Sequence, residues 1–361
     1  MPMAPLPPGP TRARTAWPWA IERAGSKGSE RIMTHTLLLA GAVSKGKVPV
    51  LESLLTTDWR IESCDPAREP ERFRELAPAA DAIVGGPIRG DWPPLPRLKL
   101  FQIPFTGHDF IVPSRLPKGA VCCNTFEHET SIAEYILLSM LEWEIGLRHT
   151  DRQFREKGWN STGPAEGPVH GEVRGKTVGI VGYGHIGREV ALRARPFRMT
   201  VNGVARRQMD TPPELDRYET VQDGLDRLLT ESDYVVVCCP LNDQTRGLID
   251  ARALGLMKST AVLINVARGP VVDEAALYQA LSDERIGGAV IDVWYQYPNV
   301  SDRNPKPSRY PFETLSNTIL SPHNSGWTQE QIDRRWVFVA ANLDRLARGE
   351  PLQNLVFEGT A

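Results

Sequence analysis

Residues 177–187 constrain this chain more than any other stretch. Thr177–Val181 is a short apolar run of buried-strand character, and Gly182–Tyr183–Gly184–His185–Ile186–Gly187 follows it directly. Ile186, Val190 and Ala194 then recur four apart, the spacing of one helical face. A strand, a glycine turn and a helix in that order open a dinucleotide-binding unit. Gly182 makes the tight turn, Gly184 lets the backbone approach a pyrophosphate, and Gly187 lets helix and strand pack closely. The phosphates then rest on the positive end of the helix. Stripped of its strand and helix, the glycine pattern would mean little.

Short apolar runs at 37–40, 59–63, 82–84, 98–103 and Val121–Cys123 precede that unit, separated by polar, helix-like stretches. Such alternation predicts a parallel sheet covered by helices. A helix over 130–144, with Ile132, Ile136, Leu137, Met140 and Leu141 inward, is expected to cross to a second unit. Residues 158–171, rich in Gly, Pro, Ser and Thr, read as a loop. Beyond it, strands are expected at Thr177–Val181, 200–204, 234–238, 261–264, 289–293 and Thr318–Leu320, with helices at 186–195, 224–229, 253–257 and Glu274–Ser282. An amphipathic helix, Gln329–Arg348, closes the chain and is expected to pack back on the first unit. The expected class is α/β. A Rossmann-type doubly wound dinucleotide domain spans 133–324, and a smaller flavodoxin-like α/β substrate domain is built from 34–132 and 325–361.

Composition narrows the partners. Forty-two Lys and Arg against 44 Asp and Glu leave a net charge of −2, which gives no reason to expect nucleic acid or an anionic membrane surface. No run approaches the length of a membrane span. Cys64, Cys122, Cys123, Cys238 and Cys239 form no C-x-x-C pair. The adjacent ones sit in strand-like runs where neighbours point to opposite faces, so they read as small buried hydrophobes rather than a metal site or disulfide. A reducing, cytoplasmic compartment is expected. Residues 1–33 are rich in Pro, Arg, Gly and Ser and read as a disordered tail, with Met33 an alternative start. The apolar run at 37–43 starts too far in for a signal peptide and reads as a first strand.

The strand at 200–204 should end in an acidic residue if the cofactor's ribose carries free hydroxyls. Arg206 and Arg207 stand there instead. Guanidinium forks suit a 2′-phosphate, so NADP(H) is favoured and NAD(H) remains possible; the plainer alternative is two surface charges at a strand end.

Several separated segments, in order, resemble the D-isomer-specific 2-hydroxyacid dehydrogenase family. They are Thr106–Gly107–His108–Asp109, Ser131–Ile132–Ala133–Glu134, the Gly182 to Gly187 turn, the stretch from Pro240 to Ile249, Ile264–Asn265–Val266–Ala267–Arg268–Gly269, Ile291–Asp292–Val293 and Ser321–Pro322–His323. The resemblance runs from about Leu37 to Val356. It implies hydride transfer between a nicotinamide dinucleotide and a small D-2-hydroxy or 2-oxo acid, by a protein that is commonly a homodimer.

By the same resemblance Arg268 grips the substrate's carboxylate and polarises its carbonyl, and His323 is the general acid/base. An arginine cannot lose its proton and an imidazole titrates near neutrality, which suits those tasks. Thr106, Gly107 and His108 would meet the substrate carboxylate, and His128 falls near a substrate-contacting position. Cofactor contacts would come from the turn glycines with His185 and Ile186, then from Cys239, Pro240, Thr245, Val266, Ala267 and Gly326. Asp292 matches the residue that holds the nicotinamide amide. One departure stands out: where most members pair the histidine with a glutamate, this chain has Tyr297, with Gln296 beside it. A phenol or amide orients a ring without raising its pKa, so a lowered His323 pKa and an acid-shifted optimum for reduction are expected. Residues 299–310 form an insert beside that position. Trp294, Tyr295, Tyr297 and Trp327 suggest a partly apolar pocket. Two other readings remain open at this stage, a formate- or phosphite-type small-anion dehydrogenase and a catalytically weak nucleotide-sensing interaction protein.

Overall fold

The computed structural model describes residues 35–88, 91–108, 110–159, 169–298 and 302–361. The expected tail, Asp109, most of the 158–171 loop and residues 299–301 of the insert lie outside the described residues. Two sheets organise the rest. The first holds β1 (His35–Ala40), β2 (Trp59–Cys64), β3 (Ala82–Gly85), β4 (Leu100–Gln102) and β5 (Val121–Cys123), all parallel in the order β2-β1-β3-β4-β5. The second holds β6 (Thr177–Val181), β7 (Thr200–Ala205), β8 (Arg217–Thr220), β9 (Tyr234–Val237), β10 (Val262–Asn265), β11 (Gly288–Ile291) and β12 (Thr318–Leu320). Its order is β8-β7-β6-β9-β10-β11-β12, again parallel throughout. The order reverses between β6 and β9, and ligands of such sheets bind in the crevice at that reversal, beyond the strands' C-terminal ends. This is the α/β class the sequence implies.

Parallel strands covered on both faces are apolar throughout, and alternate residues serve opposite cores. Tyr234 and Val236 join one core of the second sheet, Val235 and Val237 the other. Cys122 and Cys123 divide in the same way between the two faces of the first sheet. The helix Glu129–Ile145 packs Ile132, Ala133, Ile136, Leu137 and Met140 against Val178 and Ile180 of the second sheet and Val190 of the helix His185–Ala194. The last helix, Gln329–Arg348, lays Trp336, Val339, Ala340 and Leu343 on the first sheet, against Leu37, Leu39, Val84 and Leu100. Asp344 of that helix accepts hydrogen bonds from the Thr56 and Thr57 N–H groups at 3.0 Å each, tying it to the loop before β2. The chain ends in β13 (Leu355–Glu358), antiparallel to β5.

Three elements carry no sequence signal of the kind used above. β8 (Arg217–Thr220) is a four-residue edge strand bearing charge, as exposed edges do, and lacks an apolar run, while β13 offers only the three apolar residues Leu355–Val356–Phe357, too short a run to announce a strand. The helix Leu147–Lys157 buries no residue, so no apolar stripe announces it.

Candidate active site

Parallel order sends every strand of the second sheet out of the same edge, and the chemistry-bearing segments leave from that edge. The glycine turn follows β6, Arg206 and Arg207 follow β7, and Cys239 and Pro240 follow β9. Val266 to Arg268 follow β10, Asp292 follows β11, and Ser321 to His323 follow β12. From the first sheet, Thr106 to His108 follow β4 and the segment to His128 follows β5.

The turn has the form a pyrophosphate needs. Gly182 has φ +106°, and a Cβ there would lie 2.5 Å from the Cys239 nitrogen. A Cβ at Gly187 would lie 2.8 Å from the Gly182 carbonyl oxygen, whereas one at Gly184 would meet nothing within 4 Å. Gly184 also heads the helix His185–Ala194 without a side-chain cap, leaving its first N–H groups for an anion. A dinucleotide fits this loop. The buried Cys239, Val266 and Ala267 flank it, and Thr245 hydrogen-bonds the Pro240 carbonyl at 2.6 Å, bracing the 240–245 turn. Arg206 and Arg207 are exposed, and among the described residues neither is ion-paired.

His323 occupies the left-handed region at φ 56°, which costs a non-glycine residue about 1 kcal/mol or more. Asp292, fully buried, holds the loop in that shape. Its carboxylate accepts from Ser321 Oγ at 2.6 Å, from the Asn324 N–H at 2.9 Å and from the Ser325 N–H at 3.2 Å, and also from Ser325 Oγ. Tyr135, on the helix Glu129–Ile145, meets Ser321 Oγ at 2.7 Å. Since Ser321 spends its proton on Asp292, Tyr135 donates. The resemblance gives Asp292 to the nicotinamide amide; here its oxygens are engaged by the loop that carries His323.

Tyr297 sets the imidazole. Its hydroxyl oxygen accepts the Trp294 N–H at 2.9 Å and lies 2.9 Å from His323 Nδ1. The phenol retains one proton and one lone pair, so it serves the ring as donor or acceptor, and Nε2 points to the remaining side. Gln296 is exposed and does not join this contact. Its backbone N–H donates to the Pro307 carbonyl at 3.0 Å, which ties the start of the insert segment to its end. Gln296 and Tyr297 also border a cleft of 670 Å³ lined by Trp294, Pro307, Tyr310 and Leu320. That cleft lies on the insert side of Tyr297.

Arg268 is half-buried at the end of β10, and its Nη1 donates to the Ala267 carbonyl at 2.8 Å. Its charge bears on His323, Tyr297 and His128, lowering the pKa of each. The His323 ring reaches solvent on one side. Burial of the remainder, with the Arg268 charge, still holds its pKa below the usual imidazole value, while the Asp292 anion pulls the other way. Burial is stronger at His128 and pushes its imidazole down to about 4, so it is neutral near pH 7. The His128 ring lies 3.3 Å from Thr106 Oγ1, and the Thr106 carbonyl accepts from Asn124 Nδ2 at 2.8 Å. Thr106 and Gly107 are half-buried, whereas His108 is exposed. Gly326 packs on His128 so closely that a Cβ there would lie 3.4 Å from that of His128. The Arg268 charge thus reaches both the imidazole beside Tyr297 and the one beside Thr106.

A family model described as D-isomer specific 2-hydroxyacid dehydrogenase, NAD binding domain, matches residues 137–325. The glyoxylate reductase of Thermococcus kodakarensis is 34% identical over 268 residues, covering 72% of this chain and 77% of that protein. The chain belongs to the D-isomer specific 2-hydroxyacid dehydrogenase family. Among solved structures, a family protein from Aeromonas salmonicida matches with a TM-score of 0.74 at 25% identity, over 90% of this chain and 99% of its own. Another, from Xanthobacter autotrophicus in complex with NADPH and MES, matches with a TM-score of 0.70 at 26% identity, over 90% and 98%. This dehydrogenase is therefore a nicotinamide-dependent 2-hydroxyacid oxidoreductase. Among its described residues no helix is long and apolar enough to cross a membrane.

Other site features of the dehydrogenase have no motif behind them. Phe126 stacks on His185 with ring centroids 4.0 Å apart, joining the loop after β5 to the glycine turn. The relay from Tyr135 through Ser321 to Asp292 likewise links residues far apart in sequence. Neither is visible without the fold.

Proposed function

We propose that this enzyme moves a hydride between NADP(H), in preference to NAD(H), and a small D-2-hydroxy or 2-oxo acid. In this reading residues 133–324 hold the dinucleotide and residues 34–132 with 325–361 receive the acid. The nicotinamide, when bound, supplies or takes up the hydride. Arg268 binds the acid's carboxylate and draws electron density toward the carbonyl oxygen. The loop at Thr106 to His108 closes on the same carboxylate, with His128 beside it. His323 gives a proton from Nε2 to the carbonyl oxygen during reduction and takes it back during oxidation. Tyr297 keeps the ring turned for that transfer, and Asp292 fixes the loop that carries it. Arg206 and Arg207 meet the 2′-phosphate. A homodimer in the cytoplasm is the expected setting, by analogy with the family.

The observation that supports this reading is the Tyr297 hydroxyl 2.9 Å from His323 Nδ1, with the Arg268 charge acting on both groups. The glyoxylate reductase relative and the NADPH-bound structural neighbour support the choice of acid and cofactor. The test is reduction of glyoxylate, hydroxypyruvate, pyruvate and phenylpyruvate, each with NADPH and NADH. His323→Ala is expected to lose roughly 10²–10⁴ in rate, the usual worth of a general acid/base. Turnover undiminished in that variant would remove His323 from the chemistry, and tight cofactor binding with no turnover of any 2-oxo acid would overturn the enzyme's assignment to them.

A further inference from the structure

The first turns of the last helix carry polar side chains that the reading above leaves without a task. Gln331 and Arg335 stand one helical turn apart and face inward; Gln331 is fully buried and Arg335 is 6% exposed. Neither the Oε1 nor the Nε2 of Gln331 has a hydrogen-bond partner, and neither does Arg335 Nε. Among the described residues no carboxylate comes within ion-pair distance of Arg335. The ring of Trp327 covers its guanidinium at 5.5 Å. Desolvating a cation without giving it an anion is costly, and chains keep such a group where a ligand completes it.

The position of this group is telling. Trp327 lies four residues beyond His323, on the same loop. Gly326, between them, packs against His128, and His128 approaches the Thr106 hydroxyl at 3.3 Å. The charges of Arg335 and Arg268 both bear on the neutral His128 imidazole. The acid in the neighbourhood, Glu129, has Oε2 buried without a hydrogen bond, 3.8 Å from His128 Nδ1.

We infer that Arg335, with Gln331 and Trp327, forms a second anion subsite in the substrate pocket, and that the enzyme takes 2-oxo and 2-hydroxy acids bearing a second carboxylate. The inference rests on the function proposed above and names the substrate class of that same site. A planar guanidinium beside an amide presents parallel donors to a carboxylate, and the indole face shields the pair from water. A single cation with an acid nearby suits a singly charged carboxylate better than a phosphate dianion.

The full-length enzyme tests this by steady-state reduction of oxaloacetate and 2-oxoglutarate against pyruvate and 2-oxobutanoate. The readout is the ratio of kcat/KM for dicarboxylate over monocarboxylate. A ratio of about 10 or more is expected for the unaltered enzyme, falling about 10²-fold in Arg335→Met, chiefly through KM, the range for truncating one side of a buried charged pair. An equal ratio in both proteins overturns the subsite. A second measurement needs no variant: malonate and succinate should inhibit glyoxylate reduction competitively and at least about tenfold more tightly than acetate and butyrate. Equal inhibition by the two sets also overturns it. Failure to reduce any 2-oxo acid refutes the proposed function itself, whereas turnover with no dicarboxylate preference refutes only the subsite.

Discussion

Replacing Tyr297 by glutamate tests the electrostatics of the site most directly. The phenol lies 2.9 Å from His323 Nδ1 and brings no charge. Glutamate is the shorter side chain, so its carboxylate would stop about 5 Å from the ring. At that distance, with an effective dielectric constant near 20, the attraction between carboxylate and imidazolium is about 3 kcal/mol, or roughly two pKa units. His323 is exposed on one side, and solvent screening reduces the expectation to about one unit. The direction follows from protonation. Reduction needs imidazolium, and burial lowers the His323 pKa, so the rate of reduction falls as pH rises through that lowered value. A carboxylate at 297 raises the pKa and moves the falling limb of the kcat/KM profile to higher pH by about one unit. Tyr297→Phe is the control: it removes the hydrogen bond and adds no charge, so the rate drops while the limb stays in place. The assay is glyoxylate reduction followed by NADPH absorbance across the pH range. Superimposable limbs for Tyr297→Glu and the unaltered enzyme would refute the claim that Tyr297 stands in direct electrostatic reach of the acid/base.

Arg206 and Arg207 are expected to carry cofactor choice. Replacing both with alanine should raise KM for NADPH by about tenfold or more and leave NADH almost unaffected, since a phosphate's charge-assisted bonds are lost in one case only; equal effects on the two cofactors would count against the assignment. Asp344→Ala removes the acceptor of the Thr56 and Thr57 N–H groups, each at 3.0 Å. Thr56 is exposed and Thr57 half-buried, so water can replace part of what is lost; the change should cost about 1–2 kcal/mol and lower the thermal midpoint by a few degrees, and a midpoint unmoved in calorimetry would show that the loop finds other partners.

What could be read from the sequence was what local chemistry dictates. The glycine turn was legible because each glycine answers a separate steric demand, and the Cβ distances at Gly182 and Gly187 show two of those demands. The strands of the second sheet were legible because burial on both faces makes them continuously apolar. Arg268 and His323 were singled out through flanking motifs, not through their own side chains. What failed to register was tertiary or peripheral. Charged edge strands such as Arg217–Thr220 bury too little to leave a pattern. The choice between Gln296 and Tyr297 as the histidine's partner depends on how the segment after β11 bends, which adjacent positions in a sequence do not reveal. The stacking of Phe126 on His185 depends on the two sheets meeting at all.

The bend after β12 explains how this site does without the family's usual glutamate. A carboxylate paired with the histidine would both charge and orient it, and here those two tasks are divided. Orientation falls to the Tyr297 hydroxyl, itself fixed by the Trp294 N–H at 2.9 Å. Charge falls to Asp292, which raises the His323 pKa from beneath the loop without touching the ring. Because the same carboxylate also holds the Asn324 and Ser325 N–H groups, the strained φ at His323 and the electrostatics of its ring depend on one buried anion. A substitution at Asp292 would therefore disturb geometry and acidity together, whereas one at Tyr297 separates them. In the proposed function, that separability lets the residue at 297 be a phenol while His323 still serves as the acid/base.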